Sequence, residues 1–206
     1  MIGQGSHARA ARSPGDPVAV AKEELRRAAR GIRDAVGRAE ASAAAERAAE
    51  HLLALPRVAA ARRVALFAAV GSELDCGPAA RALRARGVEL AYPRVLRGAE
   101  RLKFHVVGEE TELTRGAFGI PEPSAGAPAA PVSSIDVFVV PGLAFDRSGA
   151  RVGWGRGYYD RTLAAAPDQL RVGYCFDCQL VPEVPRDRGD LLMHVIVTES
   201  GVLVPA

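Results

Sequence analysis

Cysteine, lysine and aromatic residues are scarce in this chain: its 206 residues include three cysteines, and aromatic residues make up 5%. So small and odd a number of cysteines excludes the disulfide framework of a small secreted protein and favours the reducing cytoplasm. No stretch approaches the roughly 20 apolar residues that a membrane-spanning helix needs. Residues 1–17 also lack the apolar segment of a secretory signal. We therefore expect a cytoplasmic protein without a membrane partner.

Basic character comes almost entirely from arginine, because Lys22 and Lys103 are the only lysines. Lys+Arg 27 against Asp+Glu 24 leaves a net charge of +3, and runs of alanine with arginine indicate a bias of composition. Proteins that stack on nucleic acids interleave aromatic with basic residues, and aromatic residues are few here. An arginine-rich nucleic-acid binder is therefore the weakest hypothesis, and we expect no nucleic-acid partner.

The length of the chain predicts one domain, since about 150 residues per domain is typical. Apolar residues make up 49% and charged residues 25%, as in ordinary globular proteins. Residues 1–16 are rich in glycine, serine, arginine and proline, and we predict a flexible tail there. Residues 17–206 are predicted to form a single α/β domain.

Helices are predicted from caps and from apolar spacing. Asp16 is a good N-cap, and Pro17 is a good first residue of a helix. The apolar residues that follow recur at the 3.6-residue spacing of an amphipathic helix of about five turns: Leu25, Ala29, Ile32 and Val36. Further helices are predicted over residues 40–55, 78–86 and 158–166.

Short apolar runs alternate with these helices and predict strands that are buried on both faces. The predicted strands cover residues 64–70, 88–92, 102–107, 135–140, 170–175, 195–198 and 202–204. Residues 108–131 are expected to be irregular. Strands that alternate with helices predict an α/β fold in which a mostly parallel sheet is flanked by helices on both sides.

The segment most informative about function is the glycine-rich run over residues 141–161, which follows the strongest predicted strand and leads into a helix. Ligands of open α/β sheets collect at this edge, where glycines and the start of a helix suit an anion. Arg151 and Arg156 would add charge-assisted hydrogen bonds, and Asp160 can hold a hard cation that bridges phosphate oxygens. Tyr158 stands where a dinucleotide motif has its third glycine, and the P-loop spacing is absent too. The alternative is a glycine-rich hairpin without a ligand.

Residues 141–160 resemble the signature of 5-formyltetrahydrofolate cyclo-ligases, P-G-x-x-F-D-x-x-G-x-R-x-G-x-G-x-G-Y-Y-D, and meet each of its fixed positions. Other features of that family follow in order and extend the resemblance to about residues 20–200. They are Lys22-x-x-Leu25-Arg26, Ser72-Glu73, Tyr92-Pro93-Arg94 and residues 119–123, 177–180 and 197–199. The resemblance implies a three-layer, NagB/RpiA/CoA transferase-like fold.

The resemblance also implies an ATP- and Mg²⁺-dependent ring closure of 5-formyltetrahydrofolate to 5,10-methenyltetrahydrofolate, with release of ADP and phosphate. In this reaction phosphorylation of the formyl oxygen makes a leaving group, and N10 of the same folate attacks. Because the substrate supplies the nucleophile, the protein has to position two ligands and neutralise charge. The alternative is a folate- or nucleotide-binding relative of the same fold without turnover.

Family roles transfer to the matching positions of this sequence. Arg151, Arg156 and Asp160 are implied to be catalytic, with Asp160 as the magnesium ligand. The residues implied to bind ATP are Lys22, Arg26, Arg151, Val152, Gly153, Trp154, Gly155, Arg156, Gly157, Tyr158 and Tyr159. The residues implied to bind folate are Ala68, Glu73, Phe118, Trp154, Arg156 and Tyr158. Small-molecule ligands and a monomer are expected.

Several of these roles have plainer alternatives. Lys22 and Arg26 would otherwise be solvated charges on a helix face. Glu73 would be a polar loop residue, and Phe118 would anchor a long loop in the core. Asp146 is predicted to shape the turn that follows it rather than to take part in chemistry.

Other residue types that often bind metals receive no such role here. Some members of the family have a second metal-associated aspartate where this chain has His194. Because histidine is a poor ligand for Mg²⁺, we assign no metal role to His194. Cys175 and Cys178 lack the further ligands of a zinc site and are predicted to pack as small apolar groups. His51 and His105 are interpreted as structural.

Overall fold

The structure is a computed structural model, and it describes residues 16–96, 98–108 and 113–205. The predicted tail lies outside these ranges except for Asp16. The helices are α1 (Pro17–Asp34), α2 (Arg38–Leu53), α3 (Pro56–Ala59), α4 (Gly77–Ala85) and α5 (Tyr158–Leu163). Within the described ranges, none of the helices has the length and apolar character needed to cross a membrane.

The strands are short and belong to one large sheet and two small ones. In chain order they are β1 (Arg63–Ala65), β2 (Glu89–Arg94), β3 (Lys103–Val106), β4 (Thr114–Arg115), β5 (Pro121–Glu122), β6 (Ala129–Ala130), β7 (Val137–Val140), β8 (Ala144–Asp146), β9 (Arg151–Val152), β10 (Leu170–Tyr174), β11 (Leu180–Val181), β12 (Val195–Thr198) and β13 (Gly201–Leu203).

The large sheet has the strand order β13-β12-β10-β7-β1-β2-β3-β6. Its central strands, from β12 to β2, pair in parallel, and the strands outside them pair antiparallel. β1 lies between β7 and β2, so the loops that follow these three strands leave the sheet at the same edge. The mostly parallel sheet that the sequence predicts is confirmed.

Strand β7 shows why the sheet is covered on both faces. Val137 and Val139 belong to an apolar cluster that includes residues of α2, α3 and α4. Phe138 and Val140 belong to a second cluster, which includes Leu163 of α5. Successive side chains of a strand point to opposite faces, so an unbroken apolar run buries both. Helices therefore flank the sheet on two sides and complete the three layers.

The start of α1 agrees with the sequence. The Asp16 carboxylate accepts a hydrogen bond of 3.0 Å from the Val18 N–H group, and Pro17 occupies the first turn. This bond satisfies one of the N–H groups that the first turn leaves without a partner. The predicted N-cap is confirmed.

The buried face of α1 differs from the predicted apolar face. Ile32 is 51% exposed, whereas Lys22 and Arg33 are buried beside Ala29. The reason is the position of the helix, which contacts the small sheet of β8 and β9. Only Ala29 of its fully buried residues belongs to the apolar cluster there. The prediction that Ile32 faces the core is wrong.

Several predicted elements end earlier in the structure than the sequence predicts, and the difference is largest for β1 and α5. β1 ends at Ala65. Leu66 and Phe67 lie beyond the strand but are still buried in the core, so the apolar run is longer than the strand. α5 ends at Leu163. Beyond it, the N–H group of Ala166 donates a hydrogen bond of 2.9 Å to the carbonyl oxygen of Leu163, three residues earlier, which is the spacing of a tighter turn than the α-helix. Apolar patterns predict what is buried better than they predict where pairing stops.

Candidate active site

The glycine-rich segment forms a hairpin beyond the carboxyl end of β7, in which β8 and β9 pair antiparallel. Asp146 holds its turn by accepting hydrogen bonds from the N–H groups of Ser148 at 2.8 Å and Ala150 at 3.1 Å. Its other oxygen accepts one from the Val184 N–H group at 2.8 Å. Burial alone raises the pKa of Asp146, but the Ser148 hydroxyl, which donates a hydrogen bond of 2.6 Å, and these N–H groups outweigh burial and lower it. The prediction that Asp146 shapes the turn is confirmed.

Arg26 fastens helix α1 to the hairpin. Its Nε atom donates a hydrogen bond of 2.8 Å to the carbonyl oxygen of Gly153. Gly155 lies against the same guanidinium with a φ of +85°, and a Cβ at that position would lie 3.3 Å from the Arg26 Cζ atom. A side chain at Gly155 would therefore be strained in its backbone and crowded against Arg26. The glycine permits the close approach of loop and helix.

Lys22 is only 4% exposed although it carries a charge. Its Nζ atom forms an ion pair with Asp190 and a second one, at 3.5 Å, with Asp187. The alternative that Lys22 is a solvated charge is therefore wrong. Neither aspartate could be recognised from the sequence, because both lie in a loop without a recognisable motif and far from Lys22 along the chain.

Arg151 and Asp160 form an ion pair in which Nη2 and Oδ1 are 2.9 Å apart. The N–H group of Leu191 reaches the same Oδ1 atom at 3.4 Å. Arg151 is buried, and its Nε atom has no hydrogen-bond partner among the described residues. The guanidinium carbon lies 5.7 Å from the centre of the Tyr159 ring. The pair thus joins β9 to α5 and leaves one buried donor unused.

Trp154 connects the hairpin to the loop that follows β1. Its Nε1 atom donates a hydrogen bond of 3.3 Å to Glu73, whose other oxygen accepts one of 3.0 Å from the Val70 N–H group. Burial raises the pKa of Glu73. These donors and the guanidinium of Arg33 act in the opposite direction without cancelling it. Glu73 is therefore a buried carboxylate held from three sides.

Two arginines that sequence analysis did not single out lie over the Trp154 ring. The guanidinium carbons of Arg30 and Arg33 are 4.6 and 5.7 Å from its centre. Arg33 also lies 3.7 Å from Glu73 and donates a hydrogen bond of 3.0 Å to the Ser72 hydroxyl. Burial lowers the pKa of Arg33 in spite of the carboxylates beside it. Helix α1 therefore presents exposed Arg30 to the hairpin and buried Arg33 to both the hairpin and the Glu73 loop.

Phe118 stands at the surface of the loop between β4 and β5. It is 62% exposed, and its φ of 58° is unusual for a residue other than glycine. The guanidinium carbon of Arg156 lies 5.1 Å from the centre of its ring. The structure thus brings together two of the residues matched to folate binding, and it shows that Phe118 is not a core anchor.

The remaining residues matched to ligands are more buried. Tyr158 and Tyr159 pack against the apolar cluster on the α5 side of the sheet, and burial raises the pKa of Tyr159. Ala68 packs against the cluster on the other side. Val152 is fully buried within the hairpin. These four residues pack in three different apolar clusters.

His194 is engaged by Arg171. Its Nδ1 atom accepts a hydrogen bond of 3.1 Å from the Arg171 N–H group, and its Nε2 atom lies 2.6 Å from the guanidinium. Burial lowers the pKa of His194, and the charges of Arg171 and Arg57 lower it further. Arg171 lies near the amino end of β10.

The other residues considered for metal or redox chemistry have ordinary surroundings. Cys175 is buried, and burial raises its pKa well above the usual value; Cys178 is exposed. His51 and His105 each place Nδ1 within 2.9 Å of a backbone carbonyl oxygen. No group of three or more histidine, cysteine or acidic side chains in the described ranges could hold a metal ion.

Comparison with known proteins identifies the family. The model of the 5-formyltetrahydrofolate cyclo-ligase family matches residues 18–199. The chain belongs to this family. The cyclo-ligase of Escherichia coli K12 is 35% identical over 162 residues, which cover 76% of this chain and 88% of that one. The cyclo-ligase of Mycolicibacterium smegmatis is 42% identical over 95 residues, which cover 44% and 48%.

Solved structures agree with this cyclo-ligase membership. The 5,10-methenyltetrahydrofolate synthetase of Aquifex aeolicus is 32% identical and superposes with a TM-score of 0.78 over 89% of this chain and 92% of that chain. The synthetase of Mycoplasma pneumoniae, 21% identical, shares the fold with a TM-score of 0.71 over 86% and 98%. The family and the α/β fold that the sequence predicts are confirmed.

Proposed function

We propose that this protein closes 5-formyltetrahydrofolate to 5,10-methenyltetrahydrofolate with Mg·ATP and releases ADP and phosphate. The observation that carries this proposal is the contact between Trp154 and Glu73. It sets the hairpin matched to nucleotide binding directly beside the loop matched to folate binding. Two ligands that must react with each other would therefore meet at one edge of the sheet.

The chemistry requires positioning rather than a nucleophile from the protein. Transfer of the γ-phosphoryl group to the formyl oxygen turns that oxygen into a leaving group. N10 of the same folate then attacks the formyl carbon, the carbon–oxygen bond breaks, phosphate leaves, and the N10 proton is lost to solvent. Such a reaction depends on alignment and on charge stabilisation in the transition state.

The hairpin has the features that a nucleotide needs. A Cβ at Gly153 would lie 2.9 Å from the Arg151 Nη1 atom, so the absence of a side chain keeps the space beside this arginine open. The Nε atom of buried Arg151, which has no partner in the part of the chain that the structure describes, is a donor suited to a phosphate oxygen. Arg26 contacts the same hairpin from α1, and Lys22, one turn earlier on that helix, pairs with Asp190. We assign the triphosphate to these groups together with Arg156 and residues 152–159.

The metal is assigned to Asp160. Mg²⁺ is usually held by one or two carboxylates together with substrate phosphates and water, and it would neutralise charge on the phosphates. Asp160 is partly exposed beside the hairpin and is oriented by Arg151 and by the Leu191 N–H group. His194 has no part in this site, because both of its ring nitrogens lie against Arg171.

Folate is assigned to the loops on the other side of the hairpin. The Glu73 carboxylate would accept hydrogen bonds from N–H groups of the pterin once Trp154 shares or yields its place. The exposed ring of Phe118 beside Arg156 suits stacking on a flat heterocycle. Tyr158 and Ala68 would contact the folate through van der Waals packing.

Absorbance in the near ultraviolet tests the proposal, because ring closure creates a conjugated chromophore. Purified protein is mixed with 5-formyltetrahydrofolate, and a rise that requires both ATP and Mg²⁺ is expected. Asp160→Asn should slow the rise by about 100-fold. Asp168→Asn is the matched control, because Asp168 is exposed in the loop between α5 and β10, and it should react at the wild-type rate.

A flat trace from folded protein that binds 5-formyltetrahydrofolate would overturn the proposed reaction. It would favour a binding relative of the same fold. An unchanged rate in Asp160→Asn would leave the reaction in place and remove the metal role from this residue.

The surroundings of the protein are a further part of the proposal. Within the described ranges the three cysteines are free thiols, which fits a reducing cytoplasm. A monomer in that compartment stays a prediction, and light scattering on the eluting protein would check it.

A further inference from the structure

The guanidinium of Arg33 has a buried donor that no described residue uses. The Arg33 side chain is 3% exposed, and its Nη1 atom has no hydrogen-bond partner within the ranges that the structure describes. Buried donors in proteins nearly always have a partner, because losing water without gaining another acceptor is unfavourable. The guanidinium also lies over the ring of Trp154, inside the candidate active site. An unused donor at this place points to a bound ligand.

Neighbouring side chains fix the plane of this guanidinium. Its Nε atom donates a hydrogen bond of 3.0 Å to the Ser72 hydroxyl. That hydroxyl donates its own proton to the Asp34 carboxylate, so toward Arg33 it can only accept. Because a guanidinium is planar and rigid, holding Nε also orients Nη1. The unused donor is therefore in place before a ligand arrives.

The group beside this donor is the carboxylate of Glu73. The Arg33 Nη1 atom lies 3.7 Å from the Glu73 Oε1 atom. Glu73 accepts hydrogen bonds from Trp154 and from the Val70 N–H group, whereas an ionised carboxylate has about four sites for accepting them. The pair can thus offer a ligand one donor directly next to the acceptor sites of a carboxylate.

The 2-amino-4-oxo edge of a pterin has the complementary pattern. Its N3–H and 2-amino groups donate, and the oxygen on the adjacent carbon C4 accepts. When the two donors are bound by Glu73, the C4 oxygen lies next to that carboxylate, where Arg33 has its unused donor. A hydrogen bond from a charged donor is stronger than one between neutral groups. An amino group on C4 would instead face Arg33 donor to donor, and both would lose a partner.

We propose that Arg33 donates a hydrogen bond to the C4 oxygen of the pterin and thereby makes the site selective for 4-oxopterins over 4-aminopterins. The inference rests on the proposed function, because it assumes that Glu73 holds the pterin. It gives a specificity-determining role to a residue for which the family resemblance implies none.

Isothermal titration calorimetry measures this selectivity without turnover. The full chain is titrated, in the absence of ATP, with 5-formyltetrahydrofolate and with its 4-amino analogue. The wild type should prefer the 4-oxo compound by about 100-fold. Arg33→Met should lower that ratio about tenfold, because the donor is gone for both compounds. Arg30→Met is the matched control: Arg30 lies over the same Trp154 ring but is exposed, so the ratio should stay as in the wild type.

The outcomes separate this inference from the proposed function. If Arg33→Met weakens both compounds equally, or changes neither affinity, Arg33 is only a structural partner of Glu73 and the inference fails alone. Should Arg33→Met not fold, Arg33→Gln decides in its place; its amide offers an acceptor as well as a donor and should lower the ratio about threefold. Folded wild-type protein that binds neither compound would overturn the proposed function and this inference together.

Discussion

Helices α1 and α2 follow each other in the chain, yet they bury opposite kinds of side chain. The buried residues of α2 are alanines and a leucine: Ala44, Ala45, Ala48, Ala49 and Leu52. Those of α1 include Lys22 and Arg33, and α1 packs on the hairpin rather than joining α2 on the main sheet. One helix contributes to the core, and the other brings cations to the candidate active site.

The difference has a physical consequence for stability. Apolar burial favours folding in proportion to the area removed from water. A buried charge is unfavourable unless a partner compensates it. Lys22 has Asp190 and Arg33 has Glu73, so α1 depends on ion pairs whose net contribution to folding is small. We infer that α2 carries stability and that α1 carries function.

Removing an apolar group from α2 should have the largest effect on folding. Leu52→Ala is expected to lower the free energy of unfolding by about 2–5 kcal/mol, because Leu52 is fully buried and its loss leaves a cavity. Urea unfolding measures the change. The ring-closure rate of the folded fraction should stay within about twofold of the wild type, and a loss of stability below about 1 kcal/mol would contradict the role given to α2.

The corresponding change on α1 should affect activity more than folding. Lys22→Met keeps the length of the side chain and removes the charge proposed to bind phosphate. We expect kcat/KM for ATP to fall by about 100-fold. The loss of stability should be smaller than in Leu52→Ala, because water can reach the aspartates left without their lysine. Equal turnover in Lys22→Met and wild type would contradict the functional role given to α1.

The burial of Glu73 beside α1 should make the stability of the protein depend on pH, which sharpens the comparison of the two helices. Because burial raises the pKa of Glu73 above its ordinary value of 4.5, the folded state binds a proton more tightly than the unfolded state. Wild-type stability should therefore fall as pH rises from the unfolded pKa through the raised folded pKa. Glu73→Gln lacks this fall. Thermal unfolding should find it more stable than wild type near neutral pH, with the advantage disappearing in acid; the opposite trend would contradict burial as the cause.

Ile32 should show the smallest effect. Its apolar side chain is exposed on α1, so Ile32→Gln is expected to change the free energy of unfolding by no more than about 0.5 kcal/mol. Ring closure should be unchanged. A destabilisation as large as that of Leu52→Ala would restore the apolar face that the sequence predicted for this helix.

The sheet could be predicted from the sequence because apolar runs report burial directly. Val137 to Val140 is buried on both faces as its composition indicates. The end of β1 could not be predicted, since Leu66 and Phe67 are as apolar as the strand itself and pairing depends on the neighbouring strands. The apolar residues of a segment show that it is buried. The end of a strand depends on hydrogen-bond partners that lie elsewhere in the chain.

The prediction of the buried face of α1 is wrong for a related reason. Apolar spacing selected Ile32, but the partners of Lys22 and Arg33 lie far away in sequence, at Asp190 and Glu73. A second pattern was available: Lys22, Arg26 and Arg33 share one face of the helix at intervals of four and seven residues. Cations repeated at helical spacing before a glycine-rich hairpin would have pointed to that face.

The site itself was only partly predictable. The long signature over residues 141–160 placed the hairpin and its likeness to a known family. The contact of Arg156 with Phe118 and the ion pair of Lys22 with Asp190 depend on loops whose paths no local pattern specifies. Long motifs therefore locate a site, and tertiary structure supplies its charges and its walls.

Trp154 is the only tryptophan in the chain, and it spans the gap between the hairpin and the Glu73 loop. All tryptophan fluorescence of this protein therefore originates at that one junction, beneath the guanidinium of Arg30 and against a carboxylate. The intrinsic fluorescence of an unlabelled sample therefore reports whether the hairpin and the Glu73 loop stay in contact.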